Sequence, residues 1–117
     1  MGLTEKSCLP CRGGVPRLEG ERLKEFMGQV EGWELESDTN IKKKYTFRDF
    51  KEALDFVNEV GRLAESEGHH PDIFVHYKEV TIDLWTHKIG GLFDNDFIMA
   101  AKIDAIGDFP RTFSDSL

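Results

Sequence analysis

All four histidines of this chain lie within residues 65–96, and two of them, His69 and His70, are adjacent. The other two are His76 and His87. Imidazole is the side chain whose unperturbed pKa allows proton exchange near neutral pH, so positioned histidines can act as general acids or bases. The clustering therefore predicts a site for proton-transfer chemistry, provided that the fold brings the histidines together.

The spacing of apolar residues predicts alternating helices and strands. Residues 18–30 carry apolar side chains at intervals of three and four, which indicates a helix, and two short strands follow at 33–35 and 41–47. Thr46 followed by Asp49 matches a helix-start signature, and the second helix is expected to end at Gly68, which is suited to the left-handed conformation. Its predicted apolar stripe is Phe50, Leu54, Val57, Val60 and Ala64.

The second half of the chain repeats this order of two strands and a helix. Residues 73–77 and 80–85 alternate between apolar and polar side chains, which predicts a hairpin with its turn near Lys78. A last helix is expected from Asp94, with Gly107 just past its end. The residues expected to be buried on this helix are Phe97, Ile98, Ala101 and Ala105.

The element order α-β-β-α-β-β-α predicts an α+β fold in which three helices pack on one face of a four-stranded antiparallel sheet. The 117 residues suffice for one domain, which we place at residues 17–117, after a flexible tail at 1–16. Exposed edges of so small a sheet predict a homo-oligomer. Tail residues Cys8 and Cys11 form a CxxC motif, but neither a zinc site nor a redox helix is evident, so we expect reduced thiols.

The predicted fold brings three histidines toward one site. His69 and His70 follow the second helix, and the hairpin returns His87 to the side of His70. Asp96 lies in the first turn of the last helix, where the helix dipole favours a carboxylate that can orient a neighbouring imidazole. We expect three imidazoles around one concave site, with His76 outside it on the strand surface.

Two other interpretations of the histidines stay open. They could be surface residues of a solvated loop, or they could bind zinc or iron together with Asp96 or Glu65. The sequence contains no HxH or HxxxH pair that would place two ligands on one face of an element, so we expect no metal.

Composition excludes other classes of function. The net charge of −7 argues against nucleic acid as a partner, because phosphate binding draws on a surplus of Lys and Arg. No apolar run approaches the roughly 20 residues of a membrane-spanning helix, so we expect no membrane contact. Since no secretory signal is visible either, we expect a cytoplasmic location.

A set of these residues resembles the pterin-4a-carbinolamine dehydratase family, and the resemblance extends over residues 18–106. The residues that carry it are Glu65, His69-His70-Pro71, Tyr77, Thr86-His87, Gly91-Leu92 and Asp96. The resemblance implies a four-stranded sheet with three helices on one side, assembled as a homodimer or homotetramer. It also implies dehydration of 4a-hydroxytetrahydropterin to quinonoid dihydropterin, a lyase reaction that recycles the pterin after aromatic amino acid hydroxylation and needs no metal or other cofactor.

The resemblance further implies roles for individual residues. His69, His70 and His87 would be catalytic, one imidazole protonating the departing hydroxide while another removes a ring nitrogen's proton, and Asp96 and Glu65 would support them. The resemblance does not decide which imidazole is the acid. The residues implied to line the pterin are Gly68, His69, His70, Trp85, Thr86, His87 and Lys88.

Two positions depart from the family pattern. Phe93 stands where members often carry Ser or Thr as the N-cap of the last helix, so Asp94 is expected to cap instead and to keep the Asp96 carboxylate aimed at His87. Gly68 stands where some members have Asp before the histidine pair.

Since some animal members of the family are dimerisation partners of a transcription factor, the alternative function is a non-catalytic module that binds pterin or acts as a dimerising coactivator.

Overall fold

Three α-helices cover one face of a four-stranded antiparallel sheet in the computed structural model, which describes residues 2–6, 8 and 16–107. The strand order across the sheet is β1-β2-β4-β3. The helices are α1 (Gly20–Met27), α2 (Phe50–Glu67) and α3 (Asp94–Gly107), and the strands are β1 (Glu34–Glu36), β2 (Asn40–Thr46), β3 (Asp72–His76) and β4 (Glu79–Leu84). The predicted order α-β-β-α-β-β-α and the predicted fold class are confirmed.

The centre of the sheet is the antiparallel pair of β2 and β4, in register from Ile41 opposite Leu84 to Thr46 opposite Glu79. The side chains that point from these strands toward the helices are buried, and they are Ile41, Tyr45, Val80, Ile82 and Leu84. β3 lies at the sheet edge, where alternation correctly predicted a strand but not its burial, because Val75 is 41% exposed. The β3–β4 turn lies at Tyr77 and Lys78, as predicted, and Tyr77 adopts a left-handed φ of 56°.

Local capping residues set both ends of α2. The Asp49 carboxylate accepts a hydrogen bond from the backbone N–H of Glu52, and Gly68 ends the helix with a φ of 68°. The predicted end at Gly68 is confirmed, and the helix starts after Asp49, the second residue of the predicted start signature. Part of the predicted apolar stripe is wrong, because Phe50 and Leu54 are exposed. The buried face is Ala53, Phe56, Val60 and Ala64.

Among the described residues, no helix combines the length and the apolar character that crossing a membrane requires.

α3 begins at Asp94 as predicted, but it is buried over more of its surface than one stripe. Its burial includes Met99, Ala100 and Ile103, whereas Ala101 is only half-buried and Ala105 is exposed, contrary to prediction. The cause is packing from several directions, since α1, α2, β4 and the short 3₁₀ helix Leu3–Glu5 all contact α3. A helix buried on several sides carries apolar residues around most of its circumference, so the spacing of apolar residues does not show which side is buried.

Part of the N-terminal segment packs against the domain. Leu3 is buried in the core, and the half-buried Cys8 donates its backbone N–H to Glu67. The expectation of a free tail is therefore wrong for Leu3–Glu5 and Cys8. Cys11 lies outside the described residues, and the domain boundary at residue 16 stays a prediction.

The Asp104 carboxylate fastens the C-terminal half of α3 to the sheet. Its Oδ2 accepts a hydrogen bond from the Trp33 indole at 3.0 Å, and its Oδ1 accepts one from Tyr45 Oη at 2.5 Å and one from Lys43 Nζ at 2.8 Å. Lys43 and Asp104 are mostly buried, with side chains 20% and 18% exposed. Each of these hydrogen bonds involves a charged group, so the cluster contributes more than a surface pair would.

We expect Asp104→Ala to lower the free energy of unfolding by about 2–4 kcal/mol, because three donors lose one acceptor inside the fold. Urea denaturation would measure this change. The matched control is Asp55→Ala, which removes a carboxylate paired with Lys51 at the surface and should cost less than about 0.5 kcal/mol. Equal losses in the two variants would show that the Asp104 cluster does not fasten α3.

Candidate active site

The buried carboxylate of Asp96 joins three parts of the fold. Asp96 is 0% exposed, and its Oδ1 lies 2.7 Å from Nε2 of His69. Its Oδ2 accepts hydrogen bonds from the Thr86 hydroxyl at 2.8 Å and from the Phe93 backbone N–H at 3.0 Å. Three parts of the chain therefore meet at one side chain: the turn that follows α2, the residues after β4 and the start of α3.

The start of α3 explains why Asp96 points inward. Phe93 immediately precedes the helix, and Asp96, at the third helical position, accepts the N–H of Phe93 as the acidic residue of a capping box does. The backbone N–H of Asp96 donates in return to the carbonyl of Phe93. Asp94 is the first residue of the helix, so the expectation that it would occupy the cap position is wrong.

The environment of Asp96 determines which nitrogen of His69 carries hydrogen. Asp96 accepts hydrogen bonds from the Phe93 N–H, which can only donate, and from the Thr86 hydroxyl, so it acts as a carboxylate acceptor. Nε2 of His69, which faces this carboxylate, is therefore the nitrogen that carries hydrogen in the neutral ring. Nδ1 of His69 has no partner among the described residues, while every buried side-chain N or O atom there has one. Nδ1 is therefore open to solvent and can accept a proton from a ligand.

His70 points away from His69. Its Nε2 lies 2.6 Å from Glu65 Oε2, and both side chains are mostly exposed, at 60% and 79%. Adjacent residues in extended backbone direct their side chains differently. Glu65, His70 and Pro71 line an open groove of about 830 Å³ between α2 and the start of β3.

His87 is held through Trp85. The two rings stack with their centroids 3.9 Å apart and their planes at 28°, and the indole Nε1 of Trp85 lies 3.4 Å from Asp72 Oδ2. Thr86 lies between them in sequence and turns to the opposite side, where its hydroxyl reaches Asp96. The backbone after β4 thus presents His87 outward and Thr86 inward.

Arg17 covers the loop that carries His87, a role that no sequence pattern predicted. Backbone hydrogen bonds between Thr86 and Gly91 close this loop, and Arg17 Nη1 donates to the carbonyl of Gly90 at 3.1 Å. A Cβ on Gly91 would lie 2.6 Å from Cδ of Arg17, so a larger residue at position 91 would require the arginine side chain to shift. An arginine can cover other residues with the aliphatic part of its side chain, but no local spacing in the sequence links residue 17 to residue 91.

The structure places the predicted site residues in unequal roles. Asp96 holds His69, so the expectation that this carboxylate would orient His87 is wrong. No hydrogen bond or ring contact joins the three imidazoles within residues 16–107, and their meeting around one ligand stays a prediction. Gly68 and Lys88 are exposed, and Lys88 lies in the 3₁₀ helix His87–Ile89, whereas the hydroxyl of Thr86 donates its hydrogen bond to Asp96.

Across the described part of the chain, no three His, Cys, Asp or Glu side chains are grouped so that they could hold a metal.

Known proteins are similar to this chain in both sequence and fold. A family model described as pterin 4 alpha carbinolamine dehydratase matches residues 16–106. Proteins provisionally named pterin-4-alpha-carbinolamine dehydratase are 49% identical in Rubrobacter xylanophilus, covering 89% of this chain and 97% of that protein, and 46% identical in Halorhodospira halophila, covering 92% and 99%. The crystal structure of a transcriptional coactivator/pterin dehydratase from Brucella melitensis is 31% identical and superimposes with a TM-score of 0.74 over 79% of this chain and 99% of its own.

Replacing Asp96 by Asn should invert the tautomer of His69. The amide NH₂ would donate to Nε2, so the neutral ring would carry its hydrogen on Nδ1, and the lost charge-assisted hydrogen bonds should cost about 1–3 kcal/mol of stability. Long-range ¹H–¹⁵N correlation of the neutral imidazole measures the tautomer directly. Asp94→Asn makes the same charge change in the same helical turn and should leave hydrogen on Nε2; an Nε2-protonated His69 in Asp96→Asn would contradict the assignment.

Proposed function

The chain belongs to the pterin-4a-carbinolamine dehydratase family, and on that premise we propose that it dehydrates 4a-hydroxytetrahydropterin to quinonoid dihydropterin and water. The observation that carries the proposal is the His69–Asp96 pair, in which a buried carboxylate fixes one imidazole nitrogen and leaves the other open to solvent. An imidazole held in this way is the usual form of a histidine base. An aromatic amino acid hydroxylase that supplies the carbinolamine is the expected pathway partner.

The proposed reaction needs one acid and one base. The C–O bond at carbon 4a breaks and the hydroxyl group leaves as water after it takes a proton, while the adjacent ring nitrogen loses its proton and its electron pair forms the new C=N bond. Nothing is oxidised or reduced, so positioned imidazoles suffice and no cofactor is required. Because Nδ1 of His69 carries a lone pair, we assign the base to His69, and we assign the acid to the pair of exposed imidazoles, His70 and His87.

The supporting residues follow from their contacts. Asp96 and Thr86 position His69, and Glu65 positions His70. Since the Thr86 hydroxyl is 2.8 Å from Asp96, we propose that Thr86 acts as a support and that its side chain does not contact the pterin. Gly68, Trp85 and Lys88 stay proposed pterin contacts, and the flat indole of Trp85 is suited to a flat heterocycle.

Alanine substitution of each catalytic histidine should lower the rate of pterin dehydration. We expect kcat/KM to fall about 10²–10⁴-fold in His69→Ala, His70→Ala and His87→Ala, the range that general acid or base groups contribute. The assay mixes enzyme with freshly generated 4a-hydroxytetrahydropterin and follows the quinonoid product by absorbance. His76→Ala is the matched control, because His76 is 92% exposed on β3, and it should retain full activity. Undiminished turnover in all three variants would remove the catalytic assignment.

We also propose that the chain forms a homodimer or homotetramer. β3 is an edge strand, and five large apolar side chains that support an interface are exposed on α2, β3 and the β3–β4 turn: Phe50, Leu54, Phe74, Val75 and Tyr77. Exposed apolar groups of this size on a small domain are typical of association surfaces. The α2 flank and the β3 edge are therefore the expected contacts between copies.

Changing Leu54 to Lys should shift the assembly to a smaller species. A charge on the apolar flank of α2 would have to be desolvated on association, so light scattering after gel filtration should report a lower mass than for the unchanged chain. Glu59→Lys is the control, because residue 59 lies on the other flank of α2 and is exposed. An unchanged chain that is already monomeric at micromolar concentration would contradict the proposed oligomer.

The second candidate function is a binding module without catalysis. The related Brucella melitensis protein is described as a transcriptional coactivator as well as a pterin dehydratase, and the exposed apolar flank of α2 suits a protein partner. The dehydration assay separates the two functions. An unchanged chain that binds pterin and does not accelerate product formation would favour the binding module.

A further inference from the structure

A second contact ties the end of α2 to α3, apart from the bond between His69 and Asp96. Glu67 is the last residue of α2, and its Oε2 accepts a hydrogen bond from Nζ of Lys102, on α3, at 2.5 Å. The two side chains are largely buried, with 12% of Glu67 and 16% of Lys102 exposed. This ion pair lies outside the histidine site, and the proposed reaction assigns it no role.

The N-terminal segment completes the same contact. The backbone N–H of Cys8 donates to the second oxygen of Glu67, Oε1, at 2.8 Å, and the Cys8 thiol lies 3.7 Å from the carbonyl oxygen of Asn95. Asn95 directly precedes Asp96 in the first turn of α3. The segment thus bridges the two helix ends that carry His69 and Asp96.

The charges of this cluster are stable near neutral pH. The backbone N–H of Cys8 and then the Lys102 ammonium hold the pKa of Glu67 below its ordinary value. Burial first, and the Glu67 charge second, raise the pKa of the Cys8 thiol to about 12, so the sulfur keeps its hydrogen and can donate it to Asn95. Glu67 is therefore a carboxylate with a donor on each oxygen.

The position of Glu67 gives the ion pair a specific consequence. Only Gly68 separates Glu67 from His69, and Gly68 has a left-handed φ of 68°. Apart from its own neighbours along the chain, no atom lies within 4 Å of the position that a Cβ on Gly68 would occupy. A glycine with open space around it resists rotation poorly. The residues on either side of Gly68, Glu67 and His69, contact α3 at Lys102 and Asp96. These two positions on α3 lie about 9 Å apart along the helix axis, so the two contacts together define the orientation of the turn at Gly68.

We propose that Glu67 and Lys102, with the N–H of Cys8, are positioning residues that hold the His69 imidazole against Asp96 in its catalytic orientation. The inference rests on the proposed dehydratase function, which it deepens. A purely stabilising role would not need charge, because buried ion pairs stabilise folds no better than apolar pairs of similar size. A carboxylate with a fixed donor on each oxygen constrains direction as well as distance.

The central test compares Lys102→Met with Lys102→Arg. Methionine fills a similar volume without charge, and we expect it to lower kcat about 10-fold while KM changes less than about 2-fold, because the base is displaced and pterin binding is not. It should also shift or broaden the imidazole resonances of His69. Lys102→Arg retains a cation and should restore most of kcat and the resonance positions. Lys51→Met, which removes an exposed ion pair of α2, is the control for both readouts.

A second pair of variants isolates the backbone donor. Cys8→Pro removes the N–H that reaches Glu67, whereas Cys8→Ala removes only the thiol, so the proline variant alone should reproduce the His69 shift. Circular dichroism establishes that each variant is folded. Unchanged kcat and unchanged His69 resonances in folded Lys102→Met and Cys8→Pro would overturn the proposal. An inactive unchanged chain would instead refute only the dehydratase function, because the His69 resonances report positioning without substrate.

Discussion

The buried carboxylate of Asp96 is the constraint on which the rest of the site depends. A carboxylate withdrawn from water is costly unless donors surround it, and here three donors do so, from His69, Thr86 and Phe93. Each donor comes from a different element, so the end of α2, the residues after β4 and the start of α3 can take only one relative arrangement. The conformation of the His87 loop follows, because Thr86 begins that loop and pairs with Gly91 at its other end.

α3 links the site to the rest of the domain. At its first turn Asp96 collects the site donors, near its middle Lys102 binds Glu67, and farther along Asp104 binds three donors from β2 and Trp33. A helix fastened at three points along its length cannot slide or rotate without breaking charged hydrogen bonds. The sheet therefore supplies a rigid base, and the geometry of the candidate site depends on the orientation of one helix.

The three imidazoles differ in ways that suit different tasks. His69 is buried and held by a carboxylate, His70 is exposed beside Glu65, and His87 is exposed and stacked on Trp85. A reaction that removes one proton and delivers another benefits from such unequal environments, because identical histidines would compete for the same protonation state. Their shared presence in residues 65–96 predicted proton-transfer chemistry from the sequence, but it did not reveal these differences in environment.

The sequence by itself determined the element order, the end of α2 and the start of α3, because spacing of two or three to four and the cap at Gly68 involve residues at most four positions apart. Tertiary structure decided which flank of α2 is buried, since Phe50 and Leu54 fit helical spacing as well as Ala53 and Phe56 do. It also decided that Asp96 holds His69, and that Arg17 and Cys8 pack against distant residues. These contacts join positions from 27 to 87 residues apart, and no local pattern encodes which distant surfaces meet when the chain packs.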